Sequence, residues 1–282
     1  MKQITNIPID KLRHFEGHPY KVLDNEEMND LIGSIQESGI LAPLLVRPLE
    51  GTTDEYEVIS GHRRLHAAQK AGLETVPAFI HAVDRDAASI LLVDSNLHRE
   101  HILPSEKAFA YKLKLEAIKH QGIASRQAVG KLESADIISD TESGRTVQRY
   151  IRLTHLIPPL LDLVDQGRIA FSVSVELSYL PAEIQSHLAE LIDLDEATPS
   201  YSQAVRMHRE NGQGFESISR ERIDEIMAEE KPNQREQIRL RREDFSRFFP
   251  AEYSDRQIRD DIIAGLDLLR RQRIRERNRD AR

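Results

Sequence analysis

Two hydrophobic periods run along this chain, and the point where one gives way to the other divides it. Over the first hundred residues, short apolar runs alternate with helical repeats. Ile4 to Ile9 predicts a strand, and Pro8 puts its end at a sheet edge. Asp24 predicts the cap of a helix whose Met28, Leu31, Ile32 and Ile35 fall at helical spacing and which Gly39 ends. Leu44-Leu45-Val46 and Tyr56 to Ile59 read as strands flanking a turn at residues 51–54. A helix from Gly61 stops at Gly72, and Val76 to Ile80 is a further strand. Asp84 then caps a helix bearing Ile90, Leu91 and Val93, whereas His14 to Tyr20, with Gly17 and Pro19, reads as a loop.

From Pro104 onward the period-two signal gives way to the helical one. Ser105 opens a long helix through Ile118, with Phe109, Leu113 and Ala117 on one face. Ser134 to Asp140 predicts a short helix and residues 141–143 a turn. A second helix, running through Leu153, follows with Ser143 as its cap. Helices are predicted at Pro159 to Asp165, Val173 to Tyr179 and Pro181 to Ile192, then a loop from Asp193 to Ser200. Asn211 to Gly214 reads as a linker, and Asp261 to Leu269 as an amphipathic helix that associates with a partner or with itself. The expected architecture is α+β: a mixed α/β domain over 1–101, an all-α domain over 102–195 and a charged helical region over 196–282.

Composition narrows the chemistry. An apolar fraction of 39% and a charged fraction of 30% over 282 residues suit small domains joined by exposed helices rather than one large globule. There is no Cys, which removes disulfides, thiolate metal sites and thiol catalysis, and leaves the cytoplasm as the simplest expected compartment. No long apolar run predicts a membrane span. The net charge of −8 directs attention to local basic faces.

Two such faces stand out. At Gly61-His62-Arg63-Arg64 a strand runs into a helix. Unpaired N–H groups and the positive end of the helix dipole favour an anion there, Gly61 permits close approach, and the arginines can grip phosphoryl oxygens. Further on, Val147, Ile151 and Thr154 share one side of the helix capped by Ser143. Arg145, Thr146, Gln148, Arg149 and Arg152 are left on the others, the layout of a helix that docks in a DNA groove. The terminal Arg270 to Arg277 run is a solvated helix end or a tail for phosphates.

Taken in order, these stretches resemble the ParB/Spo0J/RepB-like partition proteins. The likeness is carried by Ile7 to Leu12, Gly39 to Pro48, Ile59 to Ala68 and Ser95 to Glu100, the last leading into Leu103 to Ala108. The resemblance implies a ParB/sulfiredoxin-like N-terminal domain that binds CTP with Mg²⁺, a helix-turn-helix domain that reads double-stranded DNA, a homodimer and a ParA-type partner ATPase. It carries nucleotide-binding roles to Gly61, His62, Arg63, Arg64, Ser95, Asn96 and Arg99, and DNA-binding roles to Ser143, Arg145, Thr146, Gln148, Arg149 and Arg152. No residue is assigned to catalysis or to the metal. His62 and Ser95 stand where the family has Glu, and Ala42 where it has Gln. A hydroxyl is a weaker ligand than a carboxylate for Mg²⁺. Two other readings share the N-terminal fold: a regulator without nucleotide turnover, and a nuclease or a small-molecule kinase, the kinase with Glu57, Asp94 or Glu100 as its carboxylate.

Overall fold

A computed structural model of the chain describes residues 3–97, 99, 101–121, 142–212, 218–229, 248–249 and 253–280. It forms two compact units, Met1–Glu229 and Glu230–Arg282. The first unit opens with five strands: β1 (Ile4–Pro8), β2 (Leu12–His14), β3 (Leu44–Pro48), β4 (Tyr56–Ser60) and β5 (Thr75–Ile80). They make one mixed sheet in the order β1-β5-β3-β4-β2. β1 pairs antiparallel with β5, β3 antiparallel with β4, and the β3/β5 and β2/β4 pairs are parallel. Pro8 ends an edge strand, where its missing N–H costs no ladder bond. The apolar sides of these strands meet Leu65 and Ala68 in a core with Ile7, Leu12, Leu44, Val46, Val58, Val76 and Ala78.

Three helices follow: α1 (Glu26–Ser38), α2 (His62–Lys70) and α3 (Arg85–Asn96). α2 and α3 pack with the sheet, and α1 packs on α2 through Met28, Ile35 and Ala67. Asp24 does not cap α1. Asn25 does, its side chain accepting from the Met28 N–H at 3.1 Å, while Asp24 pairs with His66 and Lys70, each at 2.8 Å. Asp84 caps α3 as expected, accepting from the Ala87 N–H at 2.7 Å. Pairing of the buried β3 Arg47 with the β4 Glu57 at 2.7 Å fills the polar valence of a site where either charge alone would be costly.

Helices alone follow: α4 (Pro104–His120), α5 (Gly144–Arg152), α6 (Pro158–Asp165), α7 (Phe171–Leu177), α8 (Ala182–Asp195), α9 (Tyr201–Asn211) and α10 (Arg220–Ala228). The expected short helix at Ser134 to Asp140 lies outside the described residues. Packing is continuous from the sheet into the helices: Ala110 of α4 shares a core with Ile59, Ala88, Leu92 and Val93. One further expectation shifts: the stretch after Ile192 is not loop throughout, since α8 runs to Asp195. Of the linker expected at Asn211 to Gly214, Asn211 ends α9, and Gln213 and Gly214 lie outside the described residues. Residues 201–228, read as part of the charged terminal region, instead supply Ala204, Met207, Ile223 and Ile226 to the core built by α6, α7 and α8. The second unit contains α11 (Asp255–Asp280), which includes the expected 261–269 segment. Its Ile263, Leu266, Leu268 and Leu269 are exposed. Among the described residues no helix is long and apolar enough to cross a membrane.

Candidate functional site

At the β4-to-α2 corner the backbone of Gly61 turns with φ +108°, a region that disfavours any side chain. A Cβ there would lie 2.9 Å from Leu44 Cγ. Glycine is therefore required both by the turn and by the closeness of β3. The turn places the start of α2 on the wall of a cavity of about 250 Å³, lined by Gly61, His62, Arg63, Arg64, Asn96 and Arg99 together with Ser60, His18, Tyr20, Lys21 and Val22. Six of the seven residues expected to hold a nucleotide are thus brought together. Ser95 is not among them. It is exposed, and its hydroxyl donates to the Leu92 carbonyl at 2.9 Å.

The cations are held differently. Arg63 makes an exposed ion pair with Glu27 at 3.0 Å, a contact of the kind worth about 0–1 kcal/mol, so its guanidinium is readily given to a ligand. Arg64 is more committed. It donates to the Ala42 carbonyl and, at 3.0 Å, to the Pro43 carbonyl, and burial lowers its pKa from the ordinary arginine value. It braces the loop before β3 from the cavity wall. Arg99 lies 5.9 Å from the centre of the Tyr20 ring. Asn96 donates to the Leu92 carbonyl at 2.8 Å, which leaves its own side-chain oxygen as an acceptor.

The segment read only as a loop adds His18 and Tyr20 to the wall. His62 is buried, and its ring lies 3.7 Å from that of His18 and 5.8 Å from that of His14. Burial, and then the neighbouring imidazole His18, lower the His62 pKa to about 3. Burial above all lowers that of His18 to about 4. Both rings are neutral near pH 7. His62 Nε2 then accepts from the Phe15 N–H at 3.4 Å, and His18 Nδ1 donates to the Tyr20 carbonyl at 2.9 Å. Among the described residues, the cavity's positive charge comes from Lys21, Arg63, Arg64 and Arg99. No spacing rule links His18 and Tyr20 to residue 62. The only signal was a run of His14, His18 and Tyr20 in a loop, rich in groups that bind but without a period.

A second cleft of about 570 Å³ shares Lys21, Arg63 and Arg99 with the first and adds Leu23, Asn25, Glu27, His101, Leu103 and Glu106. The first cavity is small for a ligand site, and the shared cations give a larger ligand a polar way out of it. The donor set fits a polyphosphate anion. It fits a protein-ligated Mg²⁺ poorly, because no carboxylate among the described residues lines the first cavity. Nor, among the described residues, is any group of three or more His, Asp or Glu placed to hold a metal ion. The carboxylates considered for a kinase are engaged elsewhere: Glu57 with Arg47, and Asp94 with Lys114 at 2.5 Å, while Glu100 lies outside the described residues.

Helix α5 begins as expected, with the Ser143 hydroxyl accepting from the Thr146 N–H at 3.3 Å. Val147 packs with Tyr111, Leu115 and Ile118 of α4, and Tyr150 and Ile151 flank that contact. Arg145 and Gln148 are exposed on the opposite side, and Arg149 lies 4.9 Å over the Phe171 ring. Arg152 does not join the outward set. It donates to the Ser178 hydroxyl at 3.1 Å and to the Ser178 carbonyl at 2.8 Å, and lies 3.9 Å over Tyr179.

Residues 1–97 match the model of the ParB N-terminal domain. The chain is 37% identical over 172 residues to a probable chromosome 1-partitioning protein ParB of Deinococcus radiodurans, covering 60% of this chain and 54% of that one. It is 37% identical over 168 residues to the chromosome-partitioning protein Spo0J of Thermus thermophilus, covering 59% and 56%. The chain spans about half the length of these curated relatives. Among solved structures it is similar to C-terminally truncated ParB from Caulobacter crescentus complexed with CTP-gamma-S. There the identity is 28%, with 68% of this chain and 99% of that one covered, and the TM-score is 0.33. The same protein complexed to the centromeric parS site matches at 25% identity, covering 73% and 99%, with a TM-score of 0.41.

Proposed function

We propose that the chain, whose residues 1–97 match the model of the ParB N-terminal domain, is a sequence-specific DNA-binding protein of the chromosome or plasmid partition type, whose N-terminal domain holds CTP and thereby gates its grip on DNA. The observation that carries this reading is the gathering of Gly61, His62, Arg63, Arg64, Asn96 and Arg99 around one cavity. Bound there, CTP would bring a triphosphate whose charge matches the four cations. Gly61 and the start of α2 supply N–H groups, Arg63 exchanges Glu27 for a phosphoryl oxygen, Arg64 keeps the wall in place, and Asn96 offers an oxygen. Arg145, Gln148 and Arg149 form the DNA-facing side of α5, with Ser143 and Thr146 shaping its start. The relatives' role in partition favours double-stranded DNA as the partner, with a homodimer and a ParA-type ATPase completing the proposed assembly on the nucleoid or plasmid. Because no carboxylate among the described residues lines the cavity, holding the nucleotide is favoured over hydrolysing it.

Titrating the full chain with each labelled nucleoside triphosphate, with and without cognate DNA, tests the proposal. CTP-selective binding that is lost in Arg63→Ala is the expected result. Failure of every nucleotide to bind would leave a DNA-binding regulator whose first domain is only a scaffold. DNA affinity should also fall steeply with salt, on the order of 10³-fold over a modest rise, if several phosphates are contacted.

A further inference from the structure

Among the described residues, Lys21 is the one cavity-lining cation that is tied to a helix far away in the sequence. Its ammonium pairs with Asp165 at 3.0 Å and Asp162 at 3.4 Å, both on α6. These carboxylates, the hydrogen bond to Asp165 first, hold its pKa above the ordinary lysine value. Its side chain is 44% exposed, whereas that of Asp165 is only 7% exposed. Asp165 is also fixed by the start of α4, accepting from the Ser105 N–H at 2.9 Å and the Ser105 hydroxyl at 2.6 Å. The Lys21 backbone N–H in turn donates to Glu106 at 2.8 Å, and the other oxygen of that carboxylate takes the Leu103 N–H at 3.0 Å. One side chain thus joins the cavity wall to α6 and stands beside the start of α4, the helix on which Val147 of α5 is seated.

We propose that Lys21 is a shared cation, bonded to Asp165 and Asp162 in this structure and drawn to the ligand's phosphoryl oxygens when the cavity is occupied, so that nucleotide binding and the tie to α6 compete. The inference rests on the nucleotide reading of the cavity and adds its regulation. Asp165 keeps two donors from Ser105 after the ammonium leaves, so no buried charge is stranded and the exchange is cheap. The half-exposed lysine, not the buried carboxylate, is the part that moves. Because linkage is reciprocal, whatever strengthens the tie to α6 weakens nucleotide binding by the same factor.

The test is CTP affinity in the full chain by calorimetry, for the parent, Asp165→Asn, Lys21→Met and the double variant. The amide introduced by Asp165→Asn keeps an acceptor for the Ser105 N–H but gives up the charge that holds Lys21. Asp165→Asn should tighten CTP binding about 3- to 10-fold, in line with the usual size of such couplings. Lys21→Met should weaken it, and Asp165→Asn should have no effect once Lys21 is gone. If Asp165→Asn melts early, the exposed Asp162→Asn should act in the same direction and more weakly. Unchanged affinity in the folded aspartate variants overturns the proposal, as does tightening that persists without Lys21. A parent chain that binds no nucleotide overturns instead the reading of the cavity on which the proposal stands.

Discussion

At the scale of single residues, the turn at Gly61 leaves no room for a side chain. Gly61 could be read because a strand-to-helix junction with following arginines is local, and the structure explains it by φ +108° and by Leu44 Cγ, which an added Cβ would approach to 2.9 Å, well inside van der Waals contact. Gly61→Ala should therefore lower stability by roughly 1–3 kcal/mol through backbone strain, and should also weaken nucleotide binding. Urea unfolding read by circular dichroism measures the first effect, and an unshifted midpoint would refute it. His18 and His62 meet only in three dimensions, so their shared behaviour had no sequence signature. Their pKa values, about 4 and about 3, lie below the ordinary value near 6.5 that they regain on unfolding. A histidine buried neutral leaves stability intact above that unfolded value. As pH falls from about 6.5 towards 4, the unfolded chain takes up protons that the folded chain refuses, and stability drops. His62→Gln keeps an acceptor for the Phe15 N–H and removes one of these groups. Its unfolding midpoint should change less between pH 7 and pH 5 than the parent's, and an identical slope would count against the neutral pair.

At the scale of elements, strong helical periods were read correctly in kind, while ends and short pieces were not. β2 has three residues, too few for alternation to show, and is fixed by its parallel pairing with β4. The start of α1 moved by one residue because Asp24 and Asn25 are equally good caps in sequence, and the choice was settled by His66 and Lys70 claiming Asp24. In α5 the periodicity sorted Val147 inward and Gln148 outward but could not see that Ser178 and Tyr179 would claim Arg152. That difference separates two substitutions. Gln148→Ala should cost about 1–3 kcal/mol on the preferred DNA site and little on random DNA, provided it contacts a base edge. Arg152→Ala should instead unseat α5, lowering the melting temperature and weakening specific and random binding alike. Competition binding on both DNAs, with a melt of each variant, distinguishes them. A selective loss in Arg152→Ala with normal stability would return that residue to the DNA face.

At the scale of the whole molecule, the division into a sheet-containing part and a helical part was legible because the hydrophobic period changes near residue 100. The extent of the helical core was harder to see. Helices α9 and α10 have few apolar residues per turn among many charges, so their sequence resembles a solvated tail. Yet Met207, Ile223 and Ile226 are fully buried, and Gln203, itself buried, donates to the Ile226 carbonyl at 2.6 Å. The charges that masked the pattern are the outer faces of the same helices: Arg222 grips Glu210 through two bonds of 2.8 and 3.0 Å, and His187 of α8 meets Asp224 at 2.7 Å. Burying three large apolar side chains contributes on the order of 5–9 kcal/mol at about 1.5–3 kcal/mol each. That is comparable with the whole stability of a typical domain, about 5–15 kcal/mol. A chain ending at Asp195 should consequently lose cooperative unfolding of its helical part and expose the faces of Leu188 and Ile192, which lie in that core. A chain ending at Glu229 retains every described residue of that core and should melt as one sharp transition. Calorimetry of the two truncations decides the matter. Equal, cooperative melting of both would mean that α9 and α10 are appended to a core complete without them, and that the boundary belongs at 195 after all.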